Sequence, residues 1–131
     1  MNFLAVQIVL YIRAMLNNKI YDLKERTFIF SAELLKLTKR MKYDCLNSII
    51  LKQVIRSGTS IGANYEEACE GFSNKDFKYK AAVARKEAKE TNYWLRLMLA
   101  TDLVPTKEVP EINHLITETK EFVKILSAMI K

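Results

Sequence analysis

The stretch Ser73-Asn74-Lys75-Asp76-Phe77-Lys78-Tyr79-Lys80-Ala81-Ala82-Val83-Ala84-Arg85-Lys86-Glu87-Ala88-Lys89-Glu90-Thr91-Asn92-Tyr93-Trp94-Leu95-Arg96-Leu97-Met98 decides the fold of this chain. Phe77, Ala81, Ala84, Ala88, Thr91, Leu95 and Met98 recur at steps of four and three, the spacing of one face of an α-helix. Sustained steps of this kind are the seam of an antiparallel bundle. The alanines imply a neighbour at close approach. Ser73, with Asp76 three residues on, is a variant of the capping box and marks the start.

Working outward, three more stripes follow. The segment from about Asp22 to Met41 places Leu23, Phe30, Leu34, Leu37 and Met41 on one face, widened by Phe28 and Leu35, with Asp22 and Glu25 as the expected N-cap pair. The segment from about Asn47 to Gly71 places Ile50, Val54, Ser57, Ile61, Asn64 and Ala68 in line, and Gly71 is the expected left-handed stop. Its Ser57, Gly58, Ser60, Gly62 and Ala63 offer the small surface that should receive the alanines of the third helix. A loop over Thr101 to Pro110 holds both prolines, and Pro110 suits the first turn of a fourth helix. That helix should bury Ile112, Ile116, Thr119, Val123, Leu126 and Ile130. The connections are short, so neighbours should run antiparallel. The expected fold is all-α, an antiparallel up-down four-helix bundle over residues 19–131.

Composition agrees. The chain has 131 residues, half of them hydrophobic, with three glycines and two prolines. So few turn formers argue against many short strands. Residues 1–18 read as an N-terminal extension, either a short helix or disordered, or as upstream sequence with Met15 as the natural start. Phe3 to Leu16 is too short for a membrane span, which needs roughly 20 residues, and lacks the features of a secretory signal. Cys45 and Cys69 are lone thiols, which fits a reducing compartment, and a cytoplasmic location is expected.

The formal charge is +6. The basic excess falls in the first sixty residues, where Lys36, Lys39, Arg40, Lys42, Lys52 and Arg56 are candidate phosphate contacts. The competing reading is a charge that only maintains solubility. Glu111-Ile112-Asn113-His114 is half of a di-iron motif, but His114 is the single histidine, so no metal or other cofactor is expected. There is no Gly-rich phosphate loop and no nucleophile–base set, so an enzyme is not expected.

Asn64 and Glu67 on the second helix and Lys86 and Glu87 on the third form a candidate polar network that fixes helix register, with Arg56 beside it. A ligand- or partner-facing role and a paired-carboxylate site at Glu67 and Glu87 are the alternatives. Tyr93, Trp94 and Leu97 lie to one side of the seam. They are either core or an oligomer interface, since aromatic residues are favoured in both.

The run Arg56-Ser57-Gly58-Thr59-Ser60-Ile61-Gly62-Ala63-Asn64-Tyr65-Glu66-Glu67-Ala68, followed by Ser73-Asn74-Lys75-Asp76-Phe77 and Lys86-Glu87-Ala88-Lys89-Glu90-Thr91-Asn92-Tyr93-Trp94-Leu95, resembles the bacterial four helix bundle protein family. These proteins are similar to those encoded by intervening sequences in large-subunit ribosomal RNA genes. The resemblance spans about Ile20 to Lys131, and residues 1–18 look like an addition to it. It implies a homopentameric ring. A more distant similarity is to the accessory variability determinant of diversity-generating retroelements, a basic ring that binds nucleic acid and a reverse transcriptase. No catalytic residue is implied. Two functions follow as expectations: a non-enzymatic, oligomeric nucleic-acid-binding accessory protein, or a protein-interaction scaffold that recruits a partner enzyme.

Overall fold

Four long α-helices share one core in the computed structural model, which describes residues 2–8 and 19–131, with the backbone alone at 19–22. They are α1 (Lys19–Lys39), α2 (Cys45–Cys69), α3 (Asn74–Ala100) and α4 (Val109–Ile130), with a 3-10 turn at Thr106–Glu108. Residues 3–8 are also helical, and no strand occurs among the described residues. Of the N-terminal extension, residues 1 and 9–18, including Met15, lie outside the described residues.

The start of α1 differs from the sequence expectation. The helix begins at Lys19, so Asp22 lies inside its first turns and not at a cap. At α2 the cap is Asp44, whose carboxylate accepts from the Asn47 N–H at 2.8 Å. An aspartate there satisfies an N–H that has no partner within the helix. At α3 the cap is Ser73 as expected, accepting from the Asp76 N–H at 3.1 Å. Pro110 stands in the first turn of α4, where a missing N–H is tolerated.

The helix ends correct two expectations. Gly71 is not left-handed, since no glycine has positive φ among the described residues. Its role is space: a Cβ there would stand 3.2 Å from Asp76 Cβ and 3.3 Å from Phe77 N, where α3 turns back. The left-handed position is Asp102, with φ 56°. The Asp102 N–H donates to Leu99 O at 3.4 Å and the Leu103 N–H to Met98 O at 3.2 Å. That pair of bonds is the Schellman ending, with Leu103 tucked into the core behind it.

Packing follows the stripes. α3 packs chiefly against α2 and α4, while α1 lies on α2 and more lightly on α4. Leu23, Phe30, Leu34, Leu37 and Met41 of α1 are buried, as are Ala81, Ala84, Ala88, Thr91, Leu95 and Met98 of α3. Phe28 and Leu35 do not widen the buried face; both are exposed. On α2 the buried line runs through Leu51 and Tyr65 as well as Val54, Ser57, Ile61 and Ala68, and Asn64 stands beside it. On α4 it takes in Leu115 and Phe122. Gly58 and Gly62 do not face the alanines of α3. They admit α1, whose Leu34 and Thr27 occupy the space that side chains there would fill.

Candidate functional site

The six basic residues singled out from the sequence divide into two kinds. Lys36, Lys39, Lys42 and Lys52 are exposed. Lys36 holds its ammonium 3.2 Å from the centre of the Phe3 ring, so the cation meets the negative face of an aromatic from the N-terminal segment. Lys42 stands 4.0 Å from Asp44. The two arginines are engaged. Arg40 donates from Nε to Glu108 at 3.0 Å and also pairs with Glu111. Glu108 is nearly buried, and the pairing raises the pKa of the guanidinium still further. Arg56 spans Glu87, at 3.4 Å, and Glu90. Two carboxylates against each guanidinium leave those positions with little net attraction for phosphate.

The expected network of Asn64, Glu67, Lys86 and Glu87 is not assembled. Asn64 donates to its own helix at Ser60 O, 2.8 Å away. Glu67 is exposed and pairs with Lys80 at 2.7 Å, and Lys86 is exposed. Glu87 meets Arg56 instead. The reason is rotation: Tyr65, not Asn64, turns into the core, which carries Asn64 and Glu67 outward. The two carboxylates of Glu67 and Glu87 therefore have separate cationic partners and form no paired-carboxylate site. The buried polar link between α2 and α3 is Ser57 with Thr91, their hydroxyls 2.9 Å apart and both side chains sealed from solvent. Thr91 also reaches Glu87 O at 2.7 Å, so neither hydroxyl is left unsatisfied. Sequence spacing held that signal, since both residues sit on the predicted seam as isolated hydroxyls.

Trp94 and Leu97 are partly buried, with Trp94 packed against the core. Tyr93 is half exposed and meets the Trp94 ring edge-on at 5.1 Å. The indole N–H of Trp94 is buried without a hydrogen-bond partner among the described residues. Tyr93 is thus the member of the trio that faces outward.

His114 stands 3.4 Å from Glu33 of α1. No cluster of three metal-ligating side chains occurs among the described residues. Burial raises the pKa of Glu33 above its usual value; His114 opposes this, while Glu111 and Glu118 add to it. A carboxyl that binds its proton more tightly when folded stabilises most at low pH, and that contribution is lost as pH rises through the raised pKa. Glu33→Gln should therefore melt higher than the wild type at pH 7, with the gap closing toward pH 4. Thermal melts at the two pH values check this, and an equal gap at both would refute it.

The described residues include no helix long and apolar enough to cross a membrane. An open groove between α3 and α4 is lined by Lys89, Asn92, Thr117, Lys120 and Lys124, with Glu121 among them. No single stretch of sequence marks it, because its cations come from two helices: α3 has seven basic and three acidic residues, and α4 has two and three.

No curated protein matches the chain significantly. Among solved structures, a protein of unknown function from the S23 ribosomal protein family of Bacteroides thetaiotaomicron VPI-5482 is similar, with a TM-score of 0.70 and 34% identity. The match covers 82% of this chain and 97% of that one. The model of the 23S rRNA-intervening sequence protein family matches residues 18–128. The match spans all four helices, and the chain belongs to the 23S rRNA-intervening sequence protein family.

Proposed function

We propose that this protein is a non-enzymatic nucleic-acid-binding accessory protein, built as an antiparallel up-down four-helix bundle and working as a homo-oligomeric ring. The observation that carries the binding role is a surplus of exposed lysines on a chain of net charge +6. Lys39 and Lys52 make no ion pair among the described residues, and Lys36 and Lys42 also project to solvent. Such cations release counterions when they meet phosphates, which drives sequence-independent binding. Repeating them around a ring adds avidity.

The antiparallel reading is supported by the order of contacts. Arg26 meets Glu118, Glu33 meets His114 and Arg40 meets Glu108, so positions fall along α4 as they rise along α1. Ser57 with Thr91 and Glu67 with Lys80 repeat the pattern between α2 and α3. Arg85 with Ser127 and Asn92 with Thr119 repeat it between α3 and α4. The ring reading is supported by apolar side chains left at the surface, among them Leu46, Ile49 and Tyr93. Those same side chains favour the second reading, a scaffold that recruits a partner enzyme.

Two measurements test the proposal. Light scattering on the purified chain should give five times the 15.2 kDa of one copy, and a strict monomer would remove the ring. Titration with labelled RNA and DNA at low salt should show binding that weakens steeply as salt rises. Absence of binding to either leaves the scaffold reading.

A further inference from the structure

We propose that the groove between α3 and α4 is the surface that seats the phosphate backbone of a nucleic-acid duplex. This inference rests on the nucleic-acid reading above and assigns the contact to a different face from the one that sequence indicates.

Two polar rows run side by side on α3 and α4. Arg85, Lys89, Asn92 and Arg96 follow one another on α3 at steps of four, three and four, so they share a side of that helix. Thr117, Lys120, Lys124 and Ser127 do the same on α4 at steps of three, four and three. The rows are held together at the base. Arg85 donates to Ser127 Oγ at 3.2 Å, and Asn92 donates to the buried Thr119 hydroxyl at 3.0 Å. Between them lies an open groove of about 410 Å³.

Three cations line it, Lys89, Lys120 and Lys124, and Arg85 and Arg96 continue the α3 row beyond it. Lys89 and Lys120 are exposed and have no ion pair among the described residues. Among the described residues, Arg85 is engaged by the Ser127 hydroxyl, and Arg96 by the Asn92 amide oxygen at 2.8 Å, with the Tyr93 ring 6.0 Å from its guanidinium. Lys124 pairs with Glu121 at 3.8 Å; Lys124 is 76% exposed, so that pair is heavily screened. The arginines of the first-half cluster are held differently. There, each arginine faces two carboxylates. Here, one acid, Glu121, stands among the three lysines that line the groove.

The chemistry of the lining selects the occupant. Ammonium, guanidinium, hydroxyl and amide groups are the usual donors to phosphate oxygens. No aromatic side chain of the kind that dominates protein–protein binding energy lines the groove, and its one aliphatic lining residue, Val123, is only partly exposed. Nor does it hold a ladder of aromatic rings on which single-stranded bases would stack. Successive lysines on α4 are four residues apart, or about 6 Å along the axis, which suits a row of charges better than one compact anion.

The test is a binding titration of the full chain with fluorescent 20-base-pair RNA and DNA duplexes at two salt concentrations. Three proteins are compared: wild type, the triple variant Lys89→Gln/Lys120→Gln/Lys124→Gln, and the control triple Lys36→Gln/Lys39→Gln/Lys42→Gln. All six lysines are exposed, so both triples should keep wild-type helical circular dichroism and melting. The groove triple should bind at least about tenfold more weakly and lose about three units of salt slope, because three phosphate contacts are gone. The control triple removes surface charge from the first half and should weaken binding less than the groove triple does; an equal or greater loss there would overturn the groove. Weakening confined to the control triple would overturn the groove and leave nucleic-acid binding standing. Failure of the wild type to bind any duplex would overturn both. Equal wild-type affinity for a poly-glutamate chain of the same charge would also overturn the groove assignment, marking an acidic protein as the occupant.

Discussion

Replacing Phe122 with alanine should lower the thermal midpoint by roughly 10–20 °C, the largest effect expected of any single truncation considered. Phe122 is fully buried on α4 and meets the Phe30 ring of α1 edge-on, with centroids 5.4 Å apart. The Arg26 guanidinium stands 5.7 Å from the Phe122 ring centre, and Arg26 also clamps Glu118 at 2.6 Å. α1 touches α4 more lightly than α3 does, and the Phe30–Phe122 pair is an apolar contact across that seam. Truncating a buried phenylalanine costs about 3–5 kcal/mol in lost transfer energy and cavity. For a domain of this size each kcal/mol shifts the midpoint by about 3–5 °C. Phe122→Leu keeps most of the apolar volume and should lose far less. Circular dichroism melts at one fixed protein concentration make the comparison, because an oligomer's midpoint depends on concentration. A fall of under about 3 °C for the alanine variant would mean that α1 and α4 are not joined through this ring.

The stripe of α3 was fully legible in the sequence, and the structure buries it with Phe77 only partly covered. α3 is flanked on both sides and its alanines leave a narrow, regular buried arc. α2 was harder to read. It touches both α1 and α3, so its buried arc is wider than one stripe and includes Tyr65 and Leu51. A single line of three- and four-residue steps chose Asn64 over its neighbour Tyr65, and the predicted polar network fell with that choice. Caps were legible where a short polar side chain precedes the helix, as at Ser73. The Asp102 ending was hidden, because nothing local tells an aspartate with positive φ from any other surface aspartate. Charge was legible as a sum and illegible as a pattern. Arg40 and Glu108 are 68 positions apart, and Arg56 and Glu87 are 31 apart. Pairings at that range neutralise the two arginines of the first cluster without any trace in the sequence around them.

Gly58→Val should destabilise the protein by about 2–3 kcal/mol, even though it replaces a residue that is poor for helices. Gly58 lies in the middle of α2 with ordinary helical backbone, so propensity alone would favour any β-carbon there by a few tenths of a kcal/mol or more. Packing opposes it. A Cβ at Gly58 would overlap the Cδ2 of Leu34 and stand 3.5 Å from Thr91 Cγ2. Leu34 is fully buried and has no solvent to move into. Forcing added methyl groups into a filled core costs about 1–3 kcal/mol through shifted rotamers and backbone, and the valine adds three heavy atoms at the point where α1 rests on α2. Leu34→Ala alone should cost about 2–5 kcal/mol, because it leaves a cavity. The two changes should compensate when combined, since the valine methyls fill space that the leucine vacates. Denaturant unfolding of wild type, both single variants and the double variant measures the coupling, expected to be about 1 kcal/mol or more in the favourable direction. Strict additivity would show that Leu34 is not what holds position 58 to glycine, and that the close approach of α1 and α2 is set elsewhere.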